Sequence, residues 1–119
     1  MLYCLGYPFS YMTEQLRNVE VSYVEVLDES YHALNSRRIR ILKEVSRSQG
    51  LSLTVHAPFV DINIASPNRS FRRVILKRLK KSIELTGQLG ANLWVFHSGL
   101  RTGVSHFQPG KDWKLNLQS

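Results

Sequence analysis

Leu51-Ser52-Leu53-Thr54-Val55-His56 runs into Ala57-Pro58-Phe59, and Leu93-Trp94-Val95-Phe96-His97 runs into Ser98-Gly99. Each is a short apolar run closed by a histidine, with one loop and one long helical pattern between the two. Runs joined in this way read as parallel strands with a crossover helix, which puts their C-terminal ends on the same side of one sheet. That is the side on which α/β proteins assemble their sites. The two imidazoles are remote in sequence yet are expected to converge, and neutral imidazole is a ligand for zinc, manganese, iron or cobalt.

The flanking sequence repeats the pattern. Leu2 to Leu5 is an apolar run stopped by Gly6-Tyr7-Pro8, and a short helix is expected from Thr13, as N-cap, through Leu16 and Val19. Tyr23-Val24-Glu25-Val26-Leu27 is a second strand, followed by the polar Asp28-Glu29-Ser30. Ser36 caps a helix to about Ser48, with Ile39, Leu42 and Val45 on one stripe and Gly50 as its terminator. After the third strand, Leu51 to Val55, Ser66-Pro67 opens a helix. It carries Phe71, Ile75, Leu79 and Ile83 at four-residue spacing, with Val74 and Leu89 beside them, and ends at Gly90. The fourth strand, Leu93 to Phe96, is apolar throughout, as expected of a strand covered on both faces.

The order is α/β, a parallel βαβαβαβ chain whose strands begin near residues 2, 22, 51 and 92. Units of roughly 30 residues match a (β/α)8 TIM barrel. The expectation is the first half of such a barrel, truncated after strand 4. Residues 1–119 form a single partial domain, with 98–119 a glycine-marked, mobile loop and the start of an incomplete helix. Half a barrel leaves two unpaired strand edges, so self-association or a missing C-terminal half is expected to cover them.

Composition narrows the class. The chain has 119 residues, 43% of them apolar, which suits one small core. No apolar run reaches the roughly 20 residues of a membrane span, and Met1 to Gly6 lacks a signal-peptide pattern. Cys4, the single cysteine, excludes an internal disulfide, and a cytoplasmic location with no membrane partner is expected. The net charge of +7 favours anionic partners, phosphorylated substrates or nucleic acid. Seven of the sixteen basic residues lie between Arg69 and Lys81, a window without an acid. They read as one solvated helix face, or as a phosphate-contacting patch.

Two histidines do not complete a metal site. Glu25 is the nearest carboxylate, with Asp28 and Glu29 beyond it. Alternation turns Glu25 away from Val24 and Val26, either inward as a candidate catalytic carboxylate or outward against a helix. Asp61, Asn63 and Arg101 lie in the loops after the third and fourth strands. They are candidate substrate-loop residues, although loop Asp and Asn commonly bond their own backbone.

Val55-His56-Ala57-Pro58-Phe59, Asp61-Ile62-Asn63-Ile64-Ala65-Ser66-Pro67, Leu89-Gly90-Ala91 and Val95-Phe96-His97-Ser98-Gly99 together resemble the xylose isomerase-like TIM-barrel superfamily. It includes sugar-phosphate isomerases and epimerases and the endonuclease IV group of apurinic-site nucleases. The resemblance implies a divalent metal (Zn, Mn or Co) at the barrel mouth, with His56 and His97 as ligands, a carboxylate base, and most of the site on later strands. It departs from the endonuclease pattern in the spacing from His56 to Asn63, in Ser98 where proline is usual, and in Leu100-Arg101-Thr102 after Gly99. The expected function is therefore that of a metal-dependent sugar or sugar-phosphate isomerase or epimerase. The alternatives are a zinc-dependent apurinic/apyrimidinic-site endonuclease acting on DNA, and an inactive fragment or binding-only subunit.

Overall fold

In the second and third expected strands Val24, Val26, Leu53 and Val55 alternate with Tyr23, Glu25, Ser52 and Thr54, so one face is aliphatic and the other more polar, and this asymmetry shapes the molecule. The computed structural model describes residues 4–119, with the side chains of Val104 and Ser105 left aside. Strands β1 (Tyr23–Leu27), β2 (Ser52–His56) and β3 (Trp94–Val95) form a parallel sheet in the order β1-β2-β3. Val24 pairs with Leu53, Val26 with Val55, Leu27 with His56, and His56 with Val95. Val24, Val26, Leu53 and Val55 point into the main core, beneath Met12 and Leu16 of α1 (Phe9–Asn18), Ile39, Leu42 and Val45 of α2 (Ser36–Gln49), and Leu85 and Leu89 of α3 (Arg69–Leu89). A second cluster joins Ala57, Ile64, Ile75 and Leu79.

The opposite sheet face carries Tyr23, Glu25, Ser52, Thr54 and Val95. Tyr23 is 75% exposed and Val95 41%. Helices thus lie on one side of a parallel sheet whose other side is open, the arrangement of a barrel wall. The shape agrees. The molecule measures 53 × 24 × 22 Å with a radius of gyration of 16.4 Å, against about 13.5 Å for a compact domain of this length.

Several expectations shift in detail. Leu2 and Tyr3 of the expected first strand lie outside the described residues, while Cys4 is buried at a turn closed by Tyr7 N–H donating to the Cys4 carbonyl. Helix α1 starts at Phe9, after Pro8, so Thr13 is a buried helical residue and not a cap. Asn35 caps α2 in place of Ser36, its side chain accepting from Arg38 N–H, and Gly50 ends the helix at φ 64°. Asn68 caps α3 in place of Ser66-Pro67, accepting from Ser70 and Phe71 N–H. The buried stripe of α3 is Ile75, Leu79, Ser82, Leu85, Thr86 and Leu89, and Phe71 and Ile83 are each 49% exposed. Steps of four residues turn about 40° past a full circle, so a pure four-residue stripe winds off the core face. The fourth expected strand has two ladder residues, with Leu93 62% and Phe96 48% exposed. Among the described residues it is an edge strand and is not covered on both sides. The segment after His97 ends in two short helices, α4 (Val104–Phe107) and α5 (Lys111–Leu117).

Candidate functional site

Parallel pairing carries both histidines to the C-terminal edge of the sheet. His56 closes β2 and is 8% exposed; His97, two residues past β3, is exposed. The ladder continues beyond the strands: Asp28 N–H donates to the His56 carbonyl at 2.9 Å, and Ala57 N–H to that of Val95 at 2.7 Å. These bonds fix the backbone on both sides of His56. The two Nε2 atoms are 3.1 Å apart, with ring centroids 5.0 Å apart. His56 Nδ1 lies 2.8 Å from the Ala57 carbonyl, which can only accept. The proton of His56 therefore sits on Nδ1, leaving the Nε2 lone pair directed at His97. Phe59 stands edge-on to His56, with centroids 5.2 Å apart, and 6.3 Å from His97.

The other candidates are placed as follows. Glu25 pairs in register with Thr54, two residues before the Leu27–His56 pair, on the open face of the sheet and half-buried. Asp61 is exposed, with φ 57°. Asn63 is a latch between loops. Its Oδ1 accepts from Ala65 and Leu100 N–H, each at 3.0 Å, and its Nδ2 donates to the Leu100 carbonyl. Arg101 is exposed at the rim of a cavity of about 480 Å³ that includes Ser98, Pro109 and Trp113. Among the described residues, no three His, Cys, Asp or Glu side chains lie close enough to hold a metal ion together.

The loop after β3, expected to be mobile, is tied down on this side. Gly99 N–H donates to Asn116 Oδ1 at 2.7 Å, and Asp112 accepts from both Thr102 N–H and its hydroxyl. A Cβ on Gly99 would collide with Ala65 backbone and with Asn63 Oδ1. Gly99→Ala should therefore loosen the latch, costing about 1–3 kcal/mol in urea unfolding and speeding amide exchange at Leu100. Unchanged exchange there would argue that the close approach is unimportant.

The basic run divides. Arg69, Arg73, Lys77, Lys80 and Lys81 stay exposed on the outward face of α3, and Arg72 donates to the Ser66 carbonyl at 2.7 Å. Arg78 turns inward. It grips the fully buried Asp28 with NH1 to Oδ2 at 2.9 Å and NH2 to Oδ1 at 2.8 Å, and NH2 also reaches the Asp28 carbonyl at 2.9 Å. The hydrogen bond to Asp28, with the attraction of Asp28 and Glu29, raises the Arg78 pKa above its ordinary value despite partial burial. Sequence reading missed this pair and the contacts of Glu29. The available signal was that Arg78 falls three residues after Ile75, on the flank of the buried stripe.

A parallel sheet with helices on one face is the architecture of part of a (β/α) barrel. The chain belongs to the xylose isomerase-like TIM-barrel family, whose model matches residues 14–118. Over 75 residues, 63% of the chain, it is 32% identical to the uncharacterized protein MJ1311 of Methanocaldococcus jannaschii, covering 26% of that protein. A crystal structure of a D-tagatose 3-epimerase-like protein superposes with a TM-score of 0.88 over 96% of this chain and 43% of its own, at 24% identity. The chain thus spans less than half the length of these relatives. No helix among the described residues is long and apolar enough to cross a membrane.

Proposed function

We propose that this chain is the first half of a divalent-metal-dependent sugar or sugar-phosphate isomerase or epimerase, with His56 and His97 as metal ligands. The observation that carries the reading is the 3.1 Å separation of the two Nε2 atoms at the ends of adjacent parallel strands. Metal–imidazole bonds of about 2.0–2.1 Å, at angles from 90° to tetrahedral, place two ligand nitrogens about 2.8–3.4 Å apart. The donor set fits as well. The Ala57 carbonyl holds the proton of His56 on Nδ1, the outer-shell arrangement typical of metal-binding histidines. A divalent ion there would supply Lewis acidity to neighbouring carbonyl and hydroxyl oxygens of a sugar.

The chain's own residues bind and orient. His56 and His97 bring their Nε2 atoms together, the His97 Nε2 proton that joins them being given up when a metal binds, and Phe59 stands edge-on to both rings. Glu25 is the carboxylate on the open sheet face, the candidate to move a substrate proton. Arg101 is the loop cation suited to a phosphate. Exposure of Tyr23, Leu93 and Val95 supports further strands closing over the open face, where the remaining ligands are proposed to lie. The apurinic-site endonuclease reading gains less, because the exposed cations of Arg69 to Lys81 lie on the outward face of α3 and away from the two histidines.

The test is product analysis on the protein carrying this chain with the rest of its barrel. Given Mn, Co or Zn and a panel of ketohexoses and their phosphates, it should yield an epimer or isomer, lost on chelation. Chelator-sensitive cleavage of abasic-site DNA, or no turnover of any sugar, would overturn the reading.

A further inference from the structure

We infer that Glu29 is a positioning residue for the histidine pair: it holds the loop after β2 so that the Phe59 ring stays edge-on to both imidazoles. The inference rests on the reading of His56 and His97 as metal ligands. Glu29 springs from a fixed point. Asp28, before it, is fully buried, gripped by Arg78, bonded through Oδ1 to Leu34 N–H at 2.7 Å, and joined to the His56 carbonyl by its own N–H. From there the Glu29 carboxylate spans to the next loop. Oε2 accepts from two consecutive amides, Phe59 N–H at 3.1 Å and Val60 N–H at 3.2 Å, while Oε1 accepts from Ser30 N–H at 2.9 Å. Bonds from backbone N–H to an ionised acceptor are among the stronger ones in proteins, and these link residues some 30 positions apart.

Backbone conformation marks the same contact. Among the described residues, the non-glycine residues with positive φ are Ser30, at 48°, and Asp61, at 57°. Each directly follows one end of the bridge, Ser30 after Glu29 and Asp61 after Val60. The left-handed region is disfavoured for a residue with a Cβ and persists where surroundings over-determine it. A left-handed residue thus stands immediately after each end of the bridge. Among the described residues, Phe59 is the side chain whose ring meets both His56 and His97. Removing the carboxylate releases its backbone amide and lets the ring drift from the donor pair.

The experiment compares wild type, Glu29→Ala, Glu29→Gln and Phe59→Leu in the protein carrying this chain with the rest of its barrel. In Glu29→Ala, Phe59 and Val60 amides should exchange faster and nuclear Overhauser contacts from the Phe59 ring to both imidazoles should be lost. Zinc affinity should fall about 10–100-fold, the usual effect of losing an outer-shell partner. Glu29→Gln keeps one acceptor oxygen and should restore most of the ring contacts and affinity; Phe59→Leu should lower affinity with the two amides still protected. Ring contacts and amide protection unchanged in Glu29→Ala would overturn the inference. Should Glu29→Ala not fold, Phe59→Leu decides, since wild-type zinc affinity in that variant also overturns it. A wild-type protein, with its barrel complete, that binds no zinc defeats the metal reading, and amide exchange and ring contacts still judge the role of Glu29.

Discussion

Replacing both histidines, His56→Ala with His97→Ala, should abolish specific divalent-metal binding by the protein that carries this chain with the rest of its barrel, while leaving its secondary structure in place. Losing an outer-shell partner of a metal ligand already costs about 10–100-fold in affinity, so removing both ligands should cost more than about 100-fold. His97 is exposed and lies beyond β3, and its truncation leaves the core untouched. His56 is buried, but its polar and ring partners are the Ala57 carbonyl, His97 and Phe59, and it belongs to neither hydrophobic cluster. Circular dichroism should therefore change little. The measurement is zinc and cobalt titration of wild type, each single variant and the double variant. Either single variant should lose much of the binding, because each removes one ligand of the site. Equal metal content in wild type and double variant would sink the ligand assignment.

That these histidines meet was legible because it follows from topology. A buried strand, a helix and a second parallel strand have one handed arrangement, and it puts both strand ends on one side. Helix boundaries were legible to within a few residues. At Ser36 and at Ser66-Pro67 the cap falls to a neighbouring asparagine, Asn35 or Asn68, because whichever residue takes extended backbone just before the first turn becomes the cap, and adjacent polar residues compete for that place. The exposure of Leu93, Val95 and Phe96 was not legible, since an apolar run records what covers a strand in its full setting. Asn63 read as a loop residue with several possible roles, and its latch to Leu100 exists only once two loops meet. Arg78 was hardest to single out: its chemistry is that of the cations around it, and only the position of Asp28 across the interface separates it from them.

Arg78→Met should be the most destabilising single change among those cations. Asp28 has no side-chain exposure, and its partner's side chain is 34% exposed. Breaking a buried pair by removing one partner costs about 3–5 kcal/mol, because the remaining charge stays buried without compensation. Partial exposure of Arg78 lets water screen the pair, which places the expected loss near about 3 kcal/mol in urea unfolding. The pair also anchors function. Asp28 N–H bonds the His56 carbonyl, and Glu29 next to it reaches the Phe59 loop, so loosening Asp28 disturbs the edge that presents His56. Arg78→Lys should recover part of the loss, since one ammonium cannot reproduce two parallel bonds to the carboxylate and a third to the carbonyl. Arg78→Met with Asp28→Asn should be more stable than Arg78→Met alone, because the buried charge is gone while an amide oxygen still accepts from Leu34 N–H. The pH dependence has a definite sign. A cation whose pKa is raised on folding adds stability that is fully present below its unfolded value and lost as pH rises through the higher folded one. The part of the Arg78 contribution that depends on its own charge should therefore hold constant from neutral to about pH 11. A difference between wild type and Arg78→Met that shrinks between pH 7 and 10, or a loss under about 1 kcal/mol, would show that the guanidinium is not what holds Asp28 in place.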